Sequence, residues 1–473
     1  MAKSKYEVRI ENITLENFKN IGKGSVFFSE FKRLERKDLG DSDYSSVLGI
    51  YGQNASGKTS IIDALGIVRH LICGGGMTFG LQNYFKKGTN NLGMCISFLL
   101  FSNSKKMLVT YSIGFKLNAK NIVVDYETLS SVDNTNDPLK FGDKKTLYSY
   151  MQSSGLKDSF LSVIDSKDQK AVLSYLAVSK TRIPLEQSPT SLFSSLFNPE
   201  TKQIIKNEAN LINLIEIVES LTDFCKNKFM IVTTNLFDGI NIRGVGVNGF
   251  DFDDNQDRIH KNFSILFGKQ TLEENKYKTF YKMLQESGKV LETLIPGLSI
   301  KPHIYNETVD YSGKKAIEFE VMSIRDGKEI PLFFESRGVK QMLTYVGDLI
   351  GVFNQEGMFI AVDELDSGVF EYLLGEIIYS FDNFALGQLL FTSHNFRILE
   401  KIKSNEIFFT TANEENKFVQ PKYIKNNNNL RDVYYRLIVQ GDEKETYCNR
   451  TSSSDISKTL SSLGRGCKWK DAC

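Results

Sequence analysis

The stretch Gly52-Gln53-Asn54-Ala55-Ser56-Gly57-Lys58-Thr59 limits the fold more than any other part of this chain. It fits G-x-x-x-x-G-K-[ST] at every fixed position. The apolar run Val47–Tyr51 precedes it, and Ile61, Ile62, Leu65, Ile67, Val68 and Leu71 follow at helical spacing until Cys73-Gly-Gly-Gly76 stops the pattern. The chain therefore runs strand, glycine turn, helix. Glycines let successive backbone N–H groups turn inward on phosphate oxygens, and the helix presents its positive end to the same anion. Residues Gly52 to Ser60 are the nucleotide-binding candidates. Lys58 reaches the β- and γ-phosphates of ATP, and Thr59 offers its hydroxyl to Mg²⁺.

A phosphate loop needs acids on a nearby strand. Asp363 and Glu364 end the apolar run Met358–Val362. Adjacent carboxylates can divide the labour: Asp363 holds the metal and Glu364 polarises the attacking water. His394 ends a second apolar run, Leu389–Ser393, about 30 residues later. It stands where a γ-phosphate sensor belongs, and a neutral imidazole can bridge phosphate and water. Glu335-Ser336-Arg337-Gly338 precedes a helix over Val339–Phe353. Ser336 is a natural N-cap, and Gly338 leaves backbone accessible.

The rest of the chain frames these motifs. Tyr6–Ile13 and Gly24–Phe28 alternate as strands, and Met94–Phe101, Met107–Phe115 and Asn121–Leu129 predict an antiparallel meander. From roughly 140 to 300 the pattern is mostly helical, with Leu211–Phe224 and Phe280–Ile295 the clearest segments. Between them lie a glycine-rich stretch, Gly239–Gly249, and an acidic run, Asp251–Asp257. Strands return at Leu298–Tyr305 and Ala316–Ile324, followed by an Asp326-Gly327 hairpin turn. Met358–Val362 and Leu389–Thr392 read as buried parallel strands. The expected division is 1–140, 141–300 (an inserted helical lobe for assembly or partner contact), 301–425 and a C-terminal extension, 426–473.

The chain has 473 residues, with 58 Lys plus Arg against 57 Asp plus Glu. That balance gives no whole-chain electrostatic argument for nucleic acid, although a local basic face stays open. No run of about 18 apolar residues predicts a membrane span. Met1–Asn12 has no apolar signal core, and the six cysteines form no CxxC pair, so reduced thiols and a cytoplasmic location are expected.

The order Gly52–Thr59, Ser336–Gly338, Asp363–Glu364, His394 resembles the ABC-type ATPases of the SMC, RecF and OLD kind. Ile50–Thr59 and Val362–Asp366 look most like the AAA15, OLD-like ATPases of bacterial antiphage defence, such as the ATPase subunits of PARIS, Septu and AbiL-type systems. The resemblance covers roughly residues 6–130 and 300–400. It implies an α/β fold: a P-loop ABC-type ATPase with mixed sheet, antiparallel β subdomain and inserted helical lobe. It also implies that Ser336 and Gly338 of one protomer complete the ATP site of another. Assembly would be a dimer of ATPase lobes or something larger, hexamers included. Ala55 stands where many relatives have Gly, and Val369-Phe370 replaces a frequent His-Pro. The signature lacks Leu-Ser-Gly-Gly, and Gln82 is the nearest thing to a Q-loop glutamine. About 79 residues follow His394, too few for the TOPRIM nuclease domain of OLD proteins. The expectation is an ATPase that senses a phage-encoded trigger and controls a separate toxin or nuclease effector, TOPRIM or HNH. The alternative is a DNA-repair or chromosome clamp of the RecF/SMC kind, although residues 140–300 lack the long heptads of an SMC arm. The large insertion and the strands before the signature argue against a transporter ATPase.

Overall fold

A computed structural model describes residues 5–28, 46–76, 80–102, 105–118, 121–133, 143–153, 155–156, 192–193, 212–233, 268–309, 313–421, 429–440, 445–447 and 452–466. The glycine-rich stretch Gly239–Gly249 and the acidic run Asp251–Asp257 lie outside the described residues, as does most of 157–267.

Three sheets organise the chain. The first is antiparallel: β1 (Glu7–Phe18), β2 (Ile21–Phe27), β4 (Asn91–Ser102), β5 (Lys105–Asn118), β6 (Asn121–Asp133), β7 (Lys145–Met151) and β8 (Gly155–Leu156), in the order β2-β1-β4-β5-β6-β7-β8. Its long central strands are the expected meander. The second sheet contains β3 (Val47–Tyr51), β9 (Phe229–Val232), β14 (Phe359–Val362), β15 (Gln388–Ser393), β16 (Ile407–Thr410) and β17 (Phe418–Val419). Its order is β17-β16-β3-β15-β14-β9, parallel except at β17. The third is a small antiparallel sheet of β10 (Gln270–Glu273), β11 (Ser299–Val309), β12 (Lys315–Arg325) and β13 (Lys328–Pro331). Asp326 and Gly327, at φ 48 and 75, make the expected tight turn between β12 and β13.

Seven helices accompany these sheets among the described residues: α1 (Lys58–Ile72), α2 (Ile212–Asn227), α3 (Glu274–Leu294), α4 (Arg337–Asn354), α5 (Glu371–Phe384), α6 (Leu430–Gln440) and α7 (Ser453–Gly466). The six-stranded sheet is the middle layer, and period-two alternation sends its side chains into two cores. Leu48, Ile50, Phe359, Ala361 and Leu390 pack with α1, α2 and the antiparallel sheet. Val47, Tyr51, Ile360, Val362 and Leu389 pack with α3, α4 and α5. A strand covered on both faces must be apolar throughout, which is why these short runs carry no polar alternation. Each fully buried Leu or Ile adds roughly 1.5–3 kcal/mol.

Gln388 ties the layers together. Its buried amide accepts from the Ile10 N–H at 2.8 Å and donates to the Ile10 carbonyl at 2.9 Å. The β1–β4 register slips between Ile10 and Asn12, so the Gln388 side chain satisfies backbone groups beside a bulge.

The stretch 141–300 is less separate than its helical pattern suggests. β7 and β8 extend the antiparallel sheet, and β9 forms the edge of the six-stranded sheet beside β14. Only four residues long, β9 falls directly after a helix and carries no alternation to betray it. The C-terminal extension, 426–473, is partly helical: Tyr434 of α6 stacks on Phe409 of β16 with ring centroids 4.4 Å apart.

One buried acid cluster makes the fold pH-sensitive. Burial, with Asp382 beside it, raises the Glu406 carboxyl to about 7. Lys403 meets Asp382 at 2.8 Å and Glu406 at 3.6 Å. An unfolded Glu ionises near 4.5, so this contribution to stability is full below that pH and is lost as pH rises through 7. Glu406→Gln keeps an acceptor for the Lys403 N–H and removes the ionisation. Its unfolding temperature relative to wild type should therefore be higher at pH 8 than at pH 5. An equal difference in both buffers would mean that Glu406 is charged in the folded protein throughout.

Candidate functional site

The carboxyl ends of β3, β14 and β15 carry the three sequence motifs to one edge. β15 lies between the other two and pairs with both in parallel, so residues that end these strands become neighbours. The order puts the switch strand, rather than the acidic strand, next to the phosphate-loop strand.

The phosphate loop closes on itself. Lys58 is 5% exposed, and its Nζ donates to the carbonyls of Gly52 and Gln53 at 2.8 and 3.0 Å. Burial lowers the Lys58 ammonium to about 8, against the opposing pull of Asp363, Glu364 and Asp366. Gln53, Asn54 and Ala55 form the exposed crest. Ser56 N donates to Gln53 O at 3.1 Å, and Ser60 N to Gly57 O at 3.1 Å. The glycines are required here: a Cβ on Gly52 would lie 1.6 Å from Thr410 Oγ1, and Gly57 sits at φ 106. Ala55 holds φ 59, and Asn20 Nδ2 donates to its carbonyl at 2.7 Å.

The metal candidates meet. Thr59 Oγ1 lies 3.3 Å from Asp363 Oδ1, although the two are 304 residues apart. Asp363 is buried, and Thr392 Oγ1 donates to the same oxygen at 2.6 Å. Among the described residues no group of three His, Cys, Asp or Glu could hold a metal unaided. A hydroxyl and one carboxylate suit Mg²⁺, which takes oxygen ligands and fills its octahedron with water and phosphate oxygens.

Glu364 is half-buried at φ 50, with its N–H donating to Thr392 Oγ1 at 2.8 Å. The strand therefore ends at Glu364 in a left-handed turn. Burial, reinforced by nearby Lys58, lowers the His394 imidazole below its ordinary value, so the ring is neutral at pH 7. Its backbone N–H donates to Asp366 Oδ2 at 3.0 Å.

Ser336 caps α4, accepting from Val339 N at 3.3 Å, and is exposed. Arg325 pairs with Glu335 at 3.2 Å just before it. Gly338 is buried, contrary to the expectation of open backbone: a Cβ there would lie 1.9 Å from the Gly368 carbonyl oxygen. Gly368 itself sits at φ 73, so the two glycines let the start of α4 touch the loop after the acidic pair. Gln82 is exposed on a short 3-10 turn, Leu81–Tyr84, beside the antiparallel sheet.

Five residues at this site were not site candidates in the sequence: Asn20, Thr410 and Lys417 carried no signal, while Thr392 and Asp366 lay within recognised segments without a role of their own. Thr410 Oγ1 is buried without a hydrogen-bond partner and abuts Gly52. Lys417, in the connection between β16 and β17, lies against Gly57. An apolar strand order that placed β16 beside β3 would have pointed to Thr410 and Lys417.

No protein-family model matches the sequence, and no curated protein matches it either. Among solved structures the chain is similar to an SMC head bound to the C-terminal winged-helix domain of ScpA, at 13% identity over 87% of this chain and 97% of that one, TM-score 0.42. It is also similar to the SMC head domain of Thermotoga maritima, at 14% identity over 88% and 100%, TM-score 0.34. A third is the recombination mediator protein RecF in its ATPrS form, at 12% identity over 88% and 98%, TM-score 0.35.

A left-handed alanine costs roughly 1–2 kcal/mol relative to the right-handed region. Part of that returns when glycine, with its looser unfolded chain, takes the position. Ala55→Gly should therefore stabilise the protein by about 0.5–1 kcal/mol in urea unfolding, with nucleotide affinity within about threefold of wild type. A destabilised variant would show that the Ala55 methyl makes contacts worth more than its backbone strain.

Proposed function

We propose that this protein binds and hydrolyses ATP with Mg²⁺ as an ABC-type ATPase, at a site shared between two copies of the chain. The observation that carries the reading is the convergence of Lys58, Thr59, Asp363, Glu364 and His394 on one strand edge. In the bound state Mg²⁺ would neutralise phosphate charge, held by Thr59 and Asp363. Lys58 exchanges its two loop carbonyls for phosphate oxygens, which are stronger acceptors for an ammonium. Glu364 accepts the proton of the attacking water, and neutral His394 orients that water by hydrogen bonding.

Ser336 supports the shared site. It is exposed at the start of a capped helix, whose positive end attracts anions. Phe333, Phe334, Phe370 and Tyr372 flank this corner with 53, 72, 74 and 56% of their surface exposed. Apolar side chains gathered beside an anion-binding helix start suit a lobe–lobe contact better than free solvent. Two lobes packed head-to-tail would bring Ser336 of one copy to the γ-phosphate bound by the other, so that ATP favours the closed pair.

The finer reading is an antiphage defence ATPase that responds to a phage-encoded trigger and controls a separate nuclease or toxin. The likeness of Ile50–Thr59 and Val362–Asp366 to the AAA15, OLD-like proteins supports it. Co-purification with a nuclease subunit during infection would bear on it directly; stable association with repair proteins would favour a RecF/SMC-type clamp.

Glu364→Gln should retain ATP binding and lose hydrolysis by ~10²–10⁴-fold, because an amide accepts no proton. Lys58→Ala should lose affinity as well. Turnover of the Gln variant near the wild-type rate would assign the base elsewhere.

A mixing experiment tests the shared site. Ser336→Arg should bind nucleotide in single lobes but neither close nor turn over. A pair formed from Lys58→Ala and Ser336→Arg chains contains one doubly defective site and one intact site, so mixing the inactive proteins should restore part of the hydrolysis. Full activity of Ser336→Arg alone would reject the assignment.

A further inference from the structure

The connection between β16 and β17 leans on both ends of the phosphate loop. Thr410 abuts Gly52 at the start of the loop, and Lys417 lies over Gly57 at its end. The turn is fixed from several sides. Thr411 N donates to Lys417 O at 3.0 Å, and Lys417 N donates to Lys23 O on β2 at 3.1 Å. Gly22 N and Lys23 N both donate to Glu414 O at 2.8 Å, and Thr411 Oγ1 donates to Asn416 O at 2.7 Å. A lysine at position 417 therefore has a defined direction.

That direction is toward the loop. A methyl built on Gly24 of β2 would lie 3.1 Å from Lys417 Cβ, and one built on Gly57 would lie 3.3 Å from Lys417 Cε. The side chain thus runs from the antiparallel sheet to the first turn of α1, and its ammonium is one bond beyond Cε. Asn20 comes to the same place, with Oδ1 2.9 Å from the Gly57 methyl position.

This lysine is 5% exposed, and among the described residues its ammonium has no ion-pair partner within 4 Å. The acid whose field reaches it, Glu414, is held by Lys86 at 2.6 Å and is itself exposed. A largely buried lysine whose ammonium has no anion beside it is costly, and its charged tip is placed to meet a counter-charge from solvent. The adjacent loop is built to receive a polyphosphate. Lys58 covers that polyphosphate from the side of Gly52 and Gln53, while Lys417 stands on the far side, at Gly57 and the helix start.

We propose that Lys417 is a second nucleotide ligand: its ammonium contacts the phosphates common to ADP and ATP at the Gly57 end of the loop, with Asn20 beside it. The assignment rests on the nucleotide reading above. It makes the β16–β17 connection a part of the binding site, and it makes nucleotide affinity depend on how this turn packs against β2. Burial also lowers the Lys417 ammonium from its ordinary value, so this contact weakens as pH rises earlier than an exposed lysine would.

The experiment measures Kd for ADP and for a non-hydrolysable ATP analogue, each with Mg²⁺, on the full chain. Lys417→Met keeps the apolar stem and removes the charge. It should raise both constants by the same factor, about tenfold or more, which is ~1.4 kcal/mol per decade. Lys417→Arg should stay within about threefold of wild type. Without nucleotide the Met variant should unfold at or above the wild-type temperature, since it removes an unpaired buried charge. Unchanged constants in Lys417→Met, with tight binding by wild type and loss in Lys58→Ala, would overturn this proposal and leave the phosphate-loop reading standing. A fall in the nucleotide-free unfolding temperature would assign Lys417 to packing and overturn it too. No binding by wild type would overturn both.

Discussion

The parallel pairing of β15 with a strand on either side is the constraint from which the rest follows. Gln388–Ser393 is buried along its whole length and hydrogen-bonds to Val47–Tyr51 on one side and Phe359–Val362 on the other. Residues separated by more than 300 positions therefore end at the same edge, with Thr59 and Asp363 3.3 Å apart. Nothing local holds them there. The sheet does, through two cores packed on its opposite faces, and Gln388 fastens the antiparallel sheet to it. A cavity in either core would be felt at the site as small displacements of the strand ends, since packed interiors transmit strain.

What could be read from the amino-acid order divides along physical lines. The phosphate loop was legible because its chemistry demands glycines at fixed spacing, and spacing survives in one dimension. Asp363, Glu364 and His394 were legible because they end fully apolar runs of strand length. Lys417, Asn20 and Thr410 were not. Each is an ordinary residue type in an ordinary polar stretch, and each gains meaning only through packing against Gly57, Ala55 or Gly52. β9 escaped because four apolar residues after a helix look like its last turn. Gly338 is the instructive case. Its place before an amphipathic helix suggested open backbone, yet the glycine is explained by Gly368, a residue that only the fold brings near.

That glycine pair joins parts of the site that the motifs treat separately. The start of α4 touches Gly368 with no side chain between them, and Gly368 ends the loop that begins at Glu364. Within the same loop Asp366 accepts the backbone N–H of His394. The helix start that carries Ser336, the base candidate and the switch histidine are thus joined through six consecutive residues, 363–368. Contact between two backbones is stiff, because no rotamer can take up a displacement. A force on Ser336 from a docked lobe would move Gly338 against Gly368, and through that loop the carboxylates.

The phosphate loop partners its own lysine. Lys58 spends its charge on two carbonyls of its own loop, buried and with its ammonium lowered to about 8. These two bonds satisfy the Lys58 ammonium within its own loop. They also mean that a phosphate competes with two existing hydrogen bonds rather than filling a vacancy. On the proposed reading phosphate would be the stronger acceptor, because its oxygens carry full charge, whereas a carbonyl carries a partial one, and charge-assisted bonds are roughly twice as strong. Of the two loop carbonyls, that of Gln53 belongs to the exposed crest, while that of Gly52 belongs to the buried root beside Thr410. The Thr410 hydroxyl beside Gly52 is buried and has no hydrogen-bond partner among the described residues, so this corner of the loop holds an unused donor.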